Sequence, residues 1–253
     1  MSLTVIIPNL NNGKNINRTI NGIVKNSQHI ECVIIVDGYS KDGSFENLKE
    51  ALSRNDDLRC IFIQERPNGI FSAIRSGVKM VTTCHFLVNL GGDELINIPD
   101  LNLSLNTLYY GTTQVIDFNK VIFSFSDPNP SLYKMPHINM NSIIWPTLHF
   151  KNSNYFNNNL KVASDFAMLY YFYKNNFEFR FQPEINAKFY KDGLSSSVEM
   201  LYFGIGECLY VCWSARNFIR PALYAALKSL QSPSNLIHLM NGFNFARKHL
   251  NDF

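Results

Sequence analysis

LTVIIPNLNNGKNINRTINGIVKNSQHIECVIIVDGYSKDGS, residues 3–44, decides the fold. Its opening, LTVIIP, is an uninterrupted apolar run rich in β-branched side chains, the pattern of a strand buried on both faces. Residues 16–24 then place Ile16, Ile20, Ile23 and Val24 at helical spacing, and CVIIVD at 32–37 is a second buried run. Strand, helix and strand in so short a stretch make a βαβ unit, whose crossover forces the two strands to run parallel. The alternation continues with a helix over 44–52 capped by Asp42 or Ser44, a strand over 59–64, a helix over 69–80 and a strand over 85–90. The expected fold class is therefore α/β, a mostly parallel central sheet flanked by helices. Such sheets bind ligands beyond the carboxyl ends of their strands. That rule singles out PNLNN (8–12), DGYSKDGS (37–44), ERPNG (65–69) and GGDE (91–94).

From about residue 110 the pattern changes. Short β-like runs at 113–118, 121–125, 177–181 and 185–190 surround one clear helix at 164–174. After Ser197 the chain reads as helical, broken near Pro221 and Pro233, and the asparagines at 157–159 read as a polar loop. Hydrophobic residues make up 46% of the 253 and charged residues 17%, which fits a globular chain and excludes disorder. A formal charge of +3 without a compact basic run excludes nucleic acid as partner. Five cysteines (Cys32, Cys60, Cys84, Cys208, Cys212) lack metal-ligand spacing and read as buried free thiols in a reducing compartment. No basic segment followed by an apolar stretch marks a signal peptide, and the longest apolar candidate, 200–213, is short and interrupted by Glu207. These features lead to the expectation of a cytoplasmic protein, peripheral at most on the inner face of the membrane.

Three acidic positions carry candidate chemistry. Asp37 ends a strand and opens a Gly-rich turn, where a carboxylate can accept hydrogen bonds from a base or ribose; equally, Asp37 and Asp42 can simply cap the turn. Asp93 and Glu94 follow two glycines at a strand end, an arrangement open both to a divalent cation with phosphate and to a solvated turn. Asp165 falls in the first turn of the 164–174 helix, with Ser164 as cap, either as a partner of the helix dipole or as a general base. His149, between aromatic residues in the loop WPTLHF, is a further candidate.

In order and spacing these segments resemble the family-2 glycosyltransferases of the GT-A fold, of the bacterial exopolysaccharide and O-antigen type similar to the colanic acid transferases. TVIIPNLNN resembles the family's hydrophobic run with Pro-Thr-Tyr-Asn, and IIVDGYSKDGS its Asp-Gly-x-Ser-x-Asp-Gly-Thr turn. ERPNGIFSAIRSGV resembles Glu-x-Asp-x-Gly-Ile-Tyr-Asp-Ala-x-Asn-x-Gly, and HFLVNLGGDEL stands where the subgroup has Phe-Leu-Asn-Ser-Gly-Asp, its form of the metal-binding DxD. WPTLHF, KVASDFAMLYYF and FYKDGLSS follow as counterparts of its Pro-His-Gln, Ala-Ala-Asp-Tyr-x-Leu and Gly-Gly-hydrophobic-Ser segments. The resemblance covers residues 3–197 and implies a glycosyltransferase domain over 1–197, with a nucleotide-binding half about 1–95, an acceptor half about 96–197, and a helical C-terminal extension over 198–253.

What the resemblance implies is an inverting transfer of a sugar from a nucleotide diphosphate sugar, a UDP-sugar first among them, to a hydroxyl of a saccharide or lipid-linked acceptor. Pro8, Asn9, Asn11, Asp37, Gly69, Arg75 and Gly92 would bind the donor, Asp93 would hold Mn²⁺ or Mg²⁺, and Asp165 would be the catalytic base. Glu94 and His149 are the further acceptor or supporting candidates. The chain departs from the pattern at Gly91, in the first DxD position, at Ser72 in place of the Tyr-Asp-Ala aspartate, and at Thr147-Leu148 in place of His-Gln. A module of the same fold that binds nucleotide sugar without turnover is the alternative, and a nucleotidyltransferase lacks its expected Gly-rich loop with a basic residue after strand one. In the extension, Arg216, Arg220, Lys228, Arg247 and Lys248 among apolar residues suit an interfacial helix, a homodimer interface or core packing equally.

Overall fold

The computed structural model describes residues 3–125, 138–152, 160–191, 198–214 and 233–249. The chain divides into two compact units. The first comprises Met1–Pro130, His137–Asn152 and Asn176–Tyr190, and the second Ser131–Pro136, Ser153–Asn175 and Lys191–Phe253.

The first unit opens as its sequence pattern requires. Strand β1 (Leu3–Asn9), helix α1 (Ile16–Lys25), β2 (Cys32–Asp37), α2 (Ser44–Ser53), β3 (Arg59–Gln64), α3 (Ile70–Met80) and β4 (His85–Val88) follow in order. Every residue of β1 and β2 is buried, which is why neither shows polar alternation. Helix α1 buries Ile16, Ile20 and Ile23 against this sheet, each contributing about 1.5–3 kcal/mol of hydrophobic stabilisation. Helix α2 begins after Gly43 rather than after a capping Asp42 or Ser44. Gly43 sits at φ 79°, a left-handed conformation that a side chain would strain, while Asp42 Oδ1 accepts from the Ser44 N–H at 3.1 Å.

The sheet has the order β3-β2-β1-β4-β8-β6-β9-β5, with β7 paired to β6. The four early strands run parallel: Ile6 lies between Ile34 of β2 and Val88 of β4. Because β1 is flanked by β2 and β4, the turns that leave these three strands emerge side by side at one edge.

The later strands are β5 (Glu94–Asn97), β6 (Thr107–Asp117), β7 (Lys120–Phe125), β8 (Ile143–Pro146) and β9 (Glu178–Tyr190). Several features here differ from the sequence expectation. The runs at 177–181 and 185–190 are one strand, because the register against β6 shifts between Tyr110 and Thr112. That bulge absorbs Pro183, which lacks a ladder donor and reads locally as a break. WPTLHF is not a loop: Trp145 and Pro146 end β8, and the rest forms α4 (Thr147–Asn152). Cys84 is exposed, against the expectation of buried thiols; Cys32 and Cys212 are buried, and all five are free.

The second unit contains α5 (Ser164–Lys174), α6 (Val198–Ser214) and α7 (Pro233–His249). Ala163, not Ser164, is the N-cap of α5, and the Ser164 hydroxyl instead donates back to the Leu160 carbonyl at 3.2 Å. Helices α6 and α7 pack backbone to backbone. A Cβ on Gly206 would lie 2.0 Å from the Leu239 carbonyl, and one on Gly242 would lie 1.9 Å from that of Phe203, so only glycine permits this approach. Tyr202, Leu209 and Leu239 form the small core of the pair. No helix among the described residues is long and apolar enough to cross a membrane. Pro221, the asparagines at 157–159, the 192–196 part of FYKDGLSS, and Arg216, Arg220 and Lys228 lie outside the described residues, whereas Pro233 starts α7.

Candidate functional site

Two turns at the edge of the first unit are laced together by side chains. Asp37 is 0% exposed, and among the described residues its carboxylate is met by neutral donors. Oδ1 accepts from Asn9 Nδ2 at 2.8 Å and from the Ser40 hydroxyl at 2.5 Å; Oδ2 accepts from the Ser40 N–H at 2.9 Å and from Gln64 Nε2 at 3.2 Å. The buried charge is thus met by four neutral donors, the compensation that burial of a carboxylate demands. Asn9 also donates to the Ser44 hydroxyl at 2.9 Å, tying β1 to the start of α2.

The cross-links continue outward. The Asn11 N–H donates to the Ser40 hydroxyl, Asn11 Oδ1 accepts from the Lys41 N–H, and Asp42 Oδ2 accepts from the Gly13 N–H, at 2.9, 2.9 and 2.6 Å. Asn11 and Tyr39 adopt φ of 51° and 58°. Such left-handed backbone at a bulky residue costs about 1–3 kcal/mol and concentrates at ligand sites. Leu10 and Tyr39 stand exposed on this strained rim, and Gly38 leaves room for Leu10 and Pro67 beside it. Pro8, by contrast, is wholly within β1, and its carbonyl accepts from the Gly91 N–H at 3.2 Å.

That last bond connects the first two turns to GGDE. A Cβ on Gly91 would lie 2.6 Å from Asn12 Nδ2, so Asn12 takes the space that a side chain at 91 would use. Asn12 Nδ2 in turn donates to Asn9 Oδ1 at 3.2 Å. Gly92 follows at φ 96°. Its N–H donates to the Thr19 hydroxyl, which donates to the Asp93 carbonyl, both at 2.9 Å.

Asp93 itself is 5% exposed and held from two directions. Asn141 Nδ2 donates to Oδ2 at 2.8 Å, and the Tyr190 N–H donates to Oδ1 at 2.9 Å. Asn141 is buried, and its Oδ1 accepts from the Leu90 N–H at 3.2 Å, so one amide spans the turn. Glu94 faces elsewhere: its Oε2 accepts from Lys188 Nζ at 3.0 Å and from the Tyr190 hydroxyl at 3.2 Å. Burial, reinforced by the Glu94 charge, raises the Tyr190 phenol above its usual range and keeps it a donor. Arg18 lies over the Tyr190 ring at 3.8 Å, adding a second cation to this flank. Among the described residues no three His, Cys, Asp or Glu side chains gather as a ready metal cage.

The structure therefore brings Pro8, Asn9, Asn11, Asp37, Gly92, Asp93 and Glu94 to one edge. Gly69 is the exposed N-cap of α3 at φ 83°, and Arg75 lies a turn and a half further on, with Glu65 opposing the loss of proton affinity that burial causes. His149 lies on α4 with its ring edge against Phe177, centroids 4.6 Å apart, a packing contact in the described structure. Asn12, Thr19, Ser40, Asn141, Lys188 and Tyr190 escaped the sequence reading. Only Ser40 carried a local signal, standing three residues after an Asp in a turn. Asn89 is also notable: fully buried at the end of β4, its two side-chain amide atoms have no partner among the described residues.

In the second unit, Asp165 lies in the first turn of α5, and its Oδ1 accepts from the Phe166 N–H at 2.8 Å. Burial pushes the carboxyl up to about 6, with the nearby Glu207 charge adding to the rise and the N–H bonds opposing it.

A family model described as glycosyl transferase family 2 matches residues 4–176. Among solved structures, the chain is similar to S. aureus TarS 1-349 in complex with UDP-GlcNAc, at TM-score 0.64 and 16% identity over 98% of this chain and 74% of that one. It is similar to the mannosyltransferase PcManGT from Pyrobaculum calidifontis in complex with GDP-Man and Mn²⁺, at TM-score 0.59 and 13% identity over 98% and 76%. Against S. aureus TarS 1-349 in complex with UDP the TM-score is 0.57 at 16% identity, over 83% of this chain and 65% of that one, slightly under two thirds of its length. At these identities the likeness is one of fold. No curated protein sequence matches the chain.

Proposed function

The chain belongs to glycosyl transferase family 2, and from that premise we propose that it moves a sugar from a nucleoside diphosphate sugar, a UDP-sugar first among them, to a hydroxyl of a saccharide acceptor with inversion at the anomeric carbon. The observation that carries this reading is the meeting of the 8–13, 37–43 and 91–94 turns at the carboxyl edge of β1, β2 and β4. The exposed Leu10 and Tyr39 on the rim suit a nucleobase, and the Gly91-Gly92 backbone permits close approach by a diphosphate.

A divalent cation fits this edge at Asp93. Asn141 Nδ2 meets one of its carboxylate oxygens and the Tyr190 N–H the other beside the Gly91-Gly92 backbone, whereas Glu94 is committed to Lys188 and Asp37 is enclosed by four neutral donors. One carboxylate suffices for Mg²⁺ or Mn²⁺ when substrate phosphates complete the shell, but not for a cation held by protein alone. When bound with the donor, such a cation would offset the charge of the departing diphosphate. Asp165 takes the acceptor hydroxyl proton as that oxygen bonds to the anomeric carbon and the bond to the diphosphate breaks. A carboxyl at about 6 is mostly ionised at neutral pH yet more basic than an ordinary aspartate, which suits this role.

A thermal-shift screen of nucleoside diphosphate sugars with Mn²⁺ or with chelator tests the reading. A true donor at about 100 times its dissociation constant should add about 2.7 kcal/mol, and Asp93→Asn should remove the Mn²⁺-dependent part of the gain. Stabilisation by no such sugar sinks the proposal; binding with no turnover of any bound donor leaves a binding module.

We further propose bacterial surface-polysaccharide synthesis on a lipid-linked acceptor as the setting. Support comes from α7, which exposes Ile237 and Met240 and carries Arg247 and Lys248 near its end, a composition suited to anionic lipid. Sedimentation with anionic liposomes should carry the protein down at low salt and release it at high salt. No salt-sensitive binding excludes the docking and leaves a homodimer or core role for the extension.

A further inference from the structure

Glu207 interrupts α6, the most apolar helix among the described residues, and its side chain is 0% exposed. Oε1 accepts from the Lys161 N–H, and Oε2 from the N–H groups of Val162 and Ala163, all at 2.9 Å. Three consecutive amides, in the turn that leads into α5, thus close on one side chain from α6. No local side chain does this: Ala163 is the N-cap, and the Ser164 hydroxyl points back to Leu160. A charge in this setting is an expensive choice for a merely structural turn, because burial raises Glu207 above its usual range despite the three bonds.

We propose that Glu207 is a positioning residue for Asp165, clamping the turn that launches α5 and setting a second negative charge behind the Asp165 carboxylate. The proposal rests on the reading of Asp165 as the base. Asp165 follows Ala163 by two residues, so the direction in which it leaves the helix is fixed by where the clamped turn ends. The like charge also holds a proton on Asp165 to higher pH than burial alone would. The other titratable groups acting on this pair among the described residues are Lys161 and Cys208, the latter beside Cys212. The Lys161 ammonium stacks on Phe203 and Phe245, at 5.6 and 4.7 Å, and its charge opposes the rise that burial causes at Glu207. Burial first, and then the charges of Asp165 and Cys212, raise the Cys208 thiol, which leaves it neutral.

The test is the pH dependence of kcat/KM for wild type, Glu207→Gln and Asp165→Asn, with donor KM measured in parallel. Glu207→Gln should move the acidic limb of the profile down by about 0.5–1 pH unit and lower kcat about tenfold at pH 7.5, with donor KM within about twofold. A limb and kcat at wild-type values, with Asp165→Asn inactive, overturn the Glu207 assignment alone. Activity in Asp165→Asn overturns the base reading beneath it. Should Glu207→Gln fail to fold, Glu207→Asp decides, since it keeps the charge and draws the clamp in by one methylene. The proposal then requires a kcat loss of about fivefold or more with the limb in place, and wild-type kcat overturns it.

Discussion

Asp165→Asn is expected to lower sugar transfer by about 10²–10⁴-fold, the contribution typical of a positioned general base, while leaving donor affinity near wild type. The amide keeps the acceptor for the Phe166 N–H but takes up no proton. The same change should stabilise the protein at neutral pH. The folded carboxyl is raised to about 6 from an ordinary value of 3.8, chiefly by burial. Protonated Asp165 is therefore tolerated in the fold below about pH 4; as pH rises from there through 6 the unfolded chain ionises first and stability falls. The full shift corresponds to about 3 kcal/mol, and partial exposure of the side chain reduces the expected gain to about 1–2 kcal/mol. Melting curves of the variant should thus lie about 2–6 °C above wild type at pH 7.5 and converge on it toward pH 4. An inactive variant with the opposite pH trend would mean that Asp165 is held as a structural cap. A fully active one would remove it from the chemistry.

Asp37→Ala should have the largest effect on stability. Four donors converge on this carboxylate, and its removal leaves the Asn9 and Gln64 amides and the Ser40 hydroxyl and N–H short of an acceptor. Of these only the Asn9 amide is buried, and it keeps the Ser44 hydroxyl as an acceptor, while half-buried Ser40 and exposed Gln64 can turn to water. An orphaned buried group costs about 1–3 kcal/mol, so a net loss of about 1–3 kcal/mol is expected. Asp37→Asn should cost about 1–2 kcal/mol, because its NH₂ must oppose one of the same donors. Chemical denaturation alongside titration with UDP separates two roles for Asp37. A large stability loss with nucleotide affinity falling in step makes it the buttress of the 8–13 and 37–43 turns. Wild-type stability with weakened binding makes it a direct contact to the base.

The front of the molecule was legible because its signals are local. Continuous apolar runs and 3.6-residue spacing depend only on neighbours in sequence, so β1, α1, β2, α2, β3, α3 and β4 fall where the pattern puts them, within a residue or two. Local signals also misled. Pro183 and Glu184 read as a break until the β6 register shift turned them into a bulge, and WPTLHF read as a loop although its end is helical. The supports of Asp93 were invisible for a different reason. Asn141 lies 48 residues away, Tyr190 97, and the Thr19 hydroxyl that holds Gly92 lies 73 away. No pattern in a single sequence pairs residues at those separations.

The sequence by itself determined the βαβ opening, the family likeness and the acidic residues of interest, since each rests on side-chain type and near-neighbour spacing. The tertiary structure decided what those residues are free to do. It enclosed Asp37 among four donors, fixed Asp93 between Asn141 and the Tyr190 backbone, and turned Glu207 from an interruption in an apolar helix into the clamp ahead of Asp165. The physical reason is that burial drives most polar groups to find a partner within about 3 Å, and which partner stands there is set by how distant segments pack.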